Sequence, residues 1–178
     1  MHLYEKTLDS MVIHDGKIIT VTTDTVELEN GTKASREVVH HSGGVCVVPI
    51  TDEGEIIFVK QFRYPFGEVL LEIPAGKLNK GENHYECGKR ELVEETGAVA
   101  GEFTYLGVLY PTTAYLTEQI HMYYAKNLSY TKQNLDEDEF LDVVKIKFEK
   151  AIEMVMNNEI KDAKTQIAIL KTARIFGK

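Results

Sequence analysis

The sequence predicts an α/β protein, and three observations carry that reading. Runs of β-branched and apolar residues, each of strand length, recur between turn signals from Lys17 to Ala125. One charged segment in mid-chain, bounded by glycines, has helical spacing. Two segments near the C-terminus carry helical features of their own.

Composition sets the outer bounds. A chain of 178 residues suits one domain, or one domain with a small appendage, and can bury a real core. Apolar residues make up 43% and charged residues 27%, as in ordinary globular proteins. The net charge of −8 argues against a nucleic-acid partner or an anionic membrane surface. It also means that a phosphate ligand must be met by local Arg and Lys or by metal ions. Cys46 and Cys87 stand in unrelated contexts, with neither a disulfide framework nor zinc spacing. No apolar leader and no run of transmembrane length is visible. These features predict a cytoplasmic protein with no membrane partner.

Residues 1–40 read as short strands. Lys17–Leu28 is rich in β-branched residues, and Gly16 and Asn30-Gly31 punctuate it as turns. So small a β-hairpin subdomain buries little by itself and must pack on something else. His40-His41 reads as a strand-end pair without a metal role. Gly43–Ile50 is a buried strand, Asp52-Glu53-Gly54 a turn, and Glu55–Arg63 the partner strand. Arg63 beside Tyr64 is either a surface cation packed on a ring or a contact for phosphate or base, since its fork suits oxygen pairs. Glu68–Gly76 is a short strand ended by Pro74.

The next segment, about Asn83 to Glu95, is a helix closed by Thr96-Gly97. On it Glu91, Glu94 and Glu95 share one face, where like charges repel. Hard divalent cations with oxygen ligands are the usual compensation. Glu82 lies two and a half turns before Glu91, so it reaches this face only if the chain near Gly81 folds back. Gly88 inside the helix reads as simple tolerance, with close packing of the helix on the sheet as the alternative, and Gly88→Ala is expected to be neutral or stabilising. Phe103–Tyr110 and Glu118–Ala125 are strands joined by a loop through Pro111, and Leu135–Val143 is an acidic loop. Phe148–Met156 is an amphipathic helix with Phe148, Ile152 and Val155 in one stripe. Asp162 caps a final helix whose expected core face is Ile167, Leu170 and Ile175.

The mid-chain spacing is specific. Gly76, five residues, Glu82, seven residues, then Arg90-Glu91-Leu92-Val93-Glu94-Glu95-Thr96-Gly97 resembles the Nudix hydrolase box, with Ala98 where a larger aliphatic residue is usual. The flanks Gln61-Phe62-Arg63-Tyr64-Pro65 and Leu71-Glu72-Ile73-Pro74-Ala75-Gly76-Lys77-Leu78 resemble the ADP-ribose pyrophosphatase branch. Pro111 matches a proline of that branch, in Tyr-Pro-Thr where Ser-Pro-Gly is usual.

The resemblance implies a Nudix-type α/β/α sandwich with a mixed sheet at 41–178, and an N-terminal dimerisation subdomain at 1–40. It implies metal-dependent hydrolysis of a nucleoside diphosphate sugar, foremost ADP-ribose to AMP and ribose 5-phosphate. Mg²⁺, with Mn²⁺ as an alternative, would be held by Glu91, Glu95, the Ala75 carbonyl and Glu139, with Glu94 a further ligand or a support. Glu137 would be the base, and Arg90 would orient the glutamates. Arg36, Arg63 and Glu118 would contact substrate, Arg36 from the N-terminal strands of a partner subunit, so a homodimer is expected. A GDP-sugar is the alternative substrate. A nucleotide sensor that does not cleave is the alternative class, disfavoured because every box glutamate is present.

Overall fold

The computed structural model describes residues 3–137 and 139–178; Met1 and His2 of the expected N-terminal subdomain, and Asp138 of the acidic loop, lie outside them. The chain forms two compact units, one running to Gly43 and taking in Tyr110–Gln119, the other Gly44–Leu109 with Ile120–Lys178.

The first unit is a three-stranded antiparallel sheet of β1 (Lys6–Asp15), β2 (Ile19–Glu27) and β3 (Lys33–His41), in that order. The turns fall at Gly16 and at Asn30-Gly31, where Gly31 takes a φ of 80° that its lack of Cβ permits. The sequence pattern indicated a hairpin, and β1 is the added strand. Its residues are all exposed, so it lacks the in-out alternation that marks a half-buried strand. The 110–119 loop joins this unit through backbone bonds: Val39 N–H donates to the Tyr115 carbonyl (2.7 Å) and Thr117 N–H to the Val39 carbonyl (3.0 Å).

The second unit holds β4 (Gly44–Pro49), β5 (Glu55–Arg63), β6 (Glu68–Glu72), β7 (Ala75–Lys77), α1 (His84–Thr96), β8 (Ala98–Leu109), β9 (Ile120–Tyr130), β10 (Leu141–Lys147), α2 (Phe148–Met156) and α3 (Ala163–Ile175). One sheet has the order β7-β4-β9-β8 and the other β10-β5-β6. The β4–β9 pair is parallel and the remaining pairs are antiparallel, which makes the expected mixed sheet.

β4 is buried along its length, and its alternation builds two cores. Val45 and Val47 pack with Cys87 and Leu92 of α1, and with Tyr123 and Ala125 of β9. Cys46 and Val48 face the other way, onto Phe148, Ala151 and Val155 of α2 and Ala168, Ile169 and Ala173 of α3. Helices thus lie on both sides of the strands, as an α/β/α sandwich requires.

Three expectations are corrected by this packing. β10 falls where the acidic loop was expected to run on to Val143. Its exposed Asp142 and Val143 hide the strand pattern, and pairing with β5 forms it. On α3 the buried face is Thr165, Ala168, Ile169, Thr172 and Ala173, while Leu170 and Ile175 are exposed. Small Ala and Thr side chains let that helix approach β4 and β9 closely, and close approach outweighs the larger aliphatics. Gly88 is not merely tolerated. A Cβ there would stand 2.8 Å from Phe103 Cζ and 3.0 Å from Val45 Cγ2. Phe103 is itself stacked on Tyr123 at 4.3 Å and Val45 is buried, so any shift that makes room disturbs packed neighbours. Gly88→Ala is therefore expected to destabilise by about 1–3 kcal/mol, as overpacking does. A thermal melt that is unchanged or raised would show that Phe103 swings aside at no cost.

Candidate active site

α1 is set by local sequence. Asn83 accepts the Tyr85 N–H at its start (2.8 Å), and Gly97 ends it in the left-handed region at φ 69°. Cys87, Gly88, Leu92 and Glu95 are buried on one stripe. Glu91 and Glu94 therefore stand at its rim, and Glu95 is drawn under, 2% exposed.

Arg90 is the hub of the face. Its Nε donates to Glu82 Oε1 (2.9 Å) and its Nη2 to Glu82 Oε2 (3.0 Å), while Nη1 donates to both Glu91 Oε1 and Glu94 Oε2 (2.7 Å each). Glu82 reaches it because Gly81, at φ 79°, turns the chain back. The Arg90 hydrogen bonds hold the Glu82 carboxyl down at about 2. One guanidinium thus makes three ion pairs, with Glu82, Glu91 and Glu94.

The floor of the site is β7. Ala75 N–H donates to Glu95 Oε2 at 3.0 Å. Gly76 leaves the space the Glu91 carboxyl fills, for a Cβ there would lie 1.8 Å from Glu91 Cδ. The acidic loop begins at the C-terminal end of α1. Thr131 N–H donates to the Gly97 carbonyl (2.7 Å), Asn134 N–H to that of Glu94 (3.0 Å) and Gln133 Nε2 to that of Glu95 (2.6 Å). So anchored, the loop carries Glu139 to the α1 carboxylates, and Gln61 of β5 hydrogen-bonds it.

The charges confirm the crowding. Burial, then the Glu139 charge and the Glu91 charge, push Glu95 up to about 8, against the Ala75 N–H. Burial raises Glu91, although Arg90 opposes it. Burial and then Asp136 raise Glu139. Among the described residues no group of three or more His, Cys, Asp and Glu side chains is already gathered to hold a metal ion; Arg90 draws the Glu91 and Glu94 oxygens to itself. The donor chemistry nevertheless fits a hard divalent cation, which takes carboxylate and carbonyl oxygens and relieves like-charge repulsion.

The remaining candidates are placed as follows. Glu137 lies exposed in the loop that carries Glu139. Arg63 ends β5 and grips the buried Glu72 through Nε and Nη2 (2.6 and 2.7 Å). Arg36 and Glu118 belong to the N-terminal unit. There Arg36 pairs with Glu5, and Glu118 lies 3.3 Å from His41 Nδ1. Sequence reasoning missed Glu72, Gln61 and Lys164. An acid inside the apolar run Leu71-Glu72-Ile73 was the one available signal, because a buried charge needs a partner.

Residues 40–168 match the NUDIX domain family, and residues 5–39 match the nucleoside diphosphate sugar hydrolase N-terminal domain. The chain is 44% identical over 169 residues to an ADP-ribose pyrophosphatase of Bacillus subtilis (strain 168), spanning 94% of this chain and 91% of that protein. It is 40% identical to a methanol dehydrogenase activator of Bacillus methanolicus, over 93% of this chain and 90% of that one. It is 33% identical to a GDP-mannose pyrophosphatase of Yersinia enterocolitica, over 90% and 89%. The crystal structure of an ADP compounds hydrolase aligns with a TM-score of 0.86 over 97% of this chain and 94% of that one; at 22% identity it establishes the fold alone. With the box in place on α1, the fold matched and the family model covering most of its length, this chain belongs to the Nudix family of hydrolases.

Proposed function

We propose that the protein hydrolyses the diphosphate bond of a nucleoside diphosphate sugar, foremost ADP-ribose, to AMP and ribose 5-phosphate. The observation that carries this reading is the crowding of carboxylates on one face of α1, where the charges of Glu139 and Glu91 act on the buried Glu95 and Arg90 pairs with Glu82, Glu91 and Glu94. Similarity to ADP-ribose pyrophosphatases supports the substrate. Nudix hydrolases use divalent metal ions, and Mg²⁺ is the ion proposed, with Mn²⁺ as substitute. Glu91, Glu95, Glu139 and the Ala75 carbonyl would hold it, with Glu94 as a further ligand. Such an ion, when bound, offsets phosphate charge and lowers the pKa of a coordinated water.

The chain's own residues supply the rest. Glu137 accepts the proton of the attacking water, and Glu95 and Glu91 fix its line of attack. Arg90 keeps the glutamate oxygens oriented and takes no proton. Arg63 donates to a phosphate oxygen. Arg36 and Glu118 contact the nucleoside and ribose ends. The exposed β1 side chains Met11, Val12 and Ile13 suit burial against a second copy, so the enzyme is proposed to be a homodimer. Both cysteines are free, which fits the cytoplasm. Among the described residues no helix is long and apolar enough to cross a membrane. A GDP-sugar is the second reading, favoured by the GDP-mannose pyrophosphatases among the relatives.

With Mg²⁺ and a panel of ADP-ribose, GDP-mannose, NADH and 8-oxo-dGTP, ADP-ribose is expected to give the highest kcat/KM. Glu95→Gln is expected to lose at least the roughly 100-fold that even an outer partner of a metal ligand can cost. A GDP-mannose preference would overturn the substrate, and no turnover of any member would overturn the hydrolysis. Gly76→Ala must displace the Glu91 carboxyl, so kcat/KM should fall by about 10–100-fold, measured on protein whose melt shows it folded. A fall of less than this would mean that Glu91 has another productive seat.

Stability carries a pH signature. The folded Glu95 keeps its proton up to about 8, whereas the unfolded chain releases it near 4.3. The folded state therefore binds more protons across that window, and stability in EDTA should fall as pH rises through it. Glu95→Gln should shrink this slope; an unaltered slope would exclude Glu95 as its source.

A further inference from the structure

The start of α3 reaches back to the segment that leads into the active site. Asp162 caps the helix by accepting the Thr165 N–H (2.9 Å) and the Thr165 hydroxyl (2.5 Å). The same hydroxyl oxygen accepts the N–H of Ile73 at 3.0 Å. Lys164, its side chain 12% exposed, donates to Glu72 Oε2 and lies 3.0 Å from Asp162 Oδ1. α3 thus grips two successive residues, Glu72 and Ile73. Two residues on, the Ala75 N–H holds Glu95.

These contacts form a chain of alternating charge, Asp162, Lys164, Glu72 and Arg63. Glu72 is 1% exposed and sits between two cations. Burial works against its charge, but Arg63 and Lys164 outweigh burial and hold the carboxyl below its ordinary range. Arg63 ends the chain at the site, where its charge and that of Glu95 act on each other. The Glu72 pairing uses Nε and Nη2 of Arg63, so the Nη1 edge is not consumed by it. A guanidinium on a long stem presents that edge in one direction only when its fork is fixed. Lys164 fixes the fork from behind, by holding the carboxylate that holds it.

We propose that Lys164 is a positioning residue for substrate: through Glu72 it sets the Nη1 edge of Arg63 to receive a phosphate oxygen of the diphosphate. This rests on the reading above, in which Arg63 contacts the diphosphate. A purely structural Lys164 would lower stability and activity whatever stands at position 63. A positioning Lys164 has no further effect on activity once Arg63 is gone.

The test is a double-mutant cycle on the full chain with Mg²⁺ and ADP-ribose, using wild type, Lys164→Met, Arg63→Ala and the double variant. Lys164→Met is expected to lower kcat/KM by about 10–100-fold, the range for outer partners of a site. In the Arg63→Ala background it should change kcat/KM by no more than about twofold. Lys164→Arg should recover most of the activity. Mn²⁺ affinity without substrate, read by calorimetry, should stay within about twofold of wild type in Lys164→Met. If Lys164→Met melts below the assay temperature, Lys164→Gln, which keeps a donor for Glu72, carries the same cycle. An undiminished loss in the Arg63→Ala background, or weakened Mn²⁺ binding, overturns the proposal and leaves the hydrolase reading standing. A wild-type protein that turns over none of the substrate panel overturns both.

Discussion

Carboxylates crowd one face of α1, and the guanidinium of Arg90 is the counter-charge that lets a helix form with them there. Unpaired, Glu91, Glu94 and Glu95 would weaken the helix that carries them. Arg90 binds Glu91 and Glu94 through one nitrogen and returns to Glu82 with the other two. The neighbouring chain is shaped to that cluster. Gly81 turns Glu82 back, Gly76 withholds a side chain where the Glu91 carboxyl sits, and the Ala75 N–H meets the buried Glu95. Arg90 does not pair with Glu95, whose proton is held by burial and by the charges of Glu139 and Glu91, and that crowding lies where the proposed chemistry needs a cation.

The fold makes that arrangement rigid. β4 is shared by two cores, so α1 on one side and α2 with α3 on the other are referred to the same strand. β7 pairs with β4, which fixes Ala75 and Gly76 under α1. The close seat of α1 at Gly88, against Val45 and Phe103, sets the height of the carboxylate face above the sheet. α3 then ties the end of β6 from the opposite side through Lys164 and Thr165. Elements distant in sequence thus meet at four consecutive residues, Glu72 to Ala75.

Legibility in the sequence followed the range of the interactions. α1 was readable to within a residue, because its cap at Asn83, its left-handed Gly97 and its glutamate spacing are local properties of one segment. For Glu82 the spacing gave only a condition, that the chain near Gly81 fold back, and the left-handed Gly81 meets it. The first residues of β10 were not readable, since Leu141-Asp142-Val143 shows no in-out alternation and becomes a strand by pairing with β5. The buried face of α3 was misread, because hydrophobicity favours Leu170 and Ile175 whereas the sheet selects small residues for close approach. At Gly88 the choice between tolerance and close packing was not readable, since the cost of a methyl group there depends on Phe103 and Val45, which no neighbouring residue announces.

The sequence by itself determined the carboxylate helix and its boundaries, because residues three and four apart on a helix meet whatever else the chain does. It also determined which segments are strands wherever their apolar runs are unambiguous. Only the tertiary structure decided which carboxylate is buried, which side of α3 faces inward and what Arg63 holds. Those outcomes depend on contacts across 92 positions, as between Lys164 and Glu72. Desolvation and close packing exist only once such residues are brought together, so local pattern carries no trace of them.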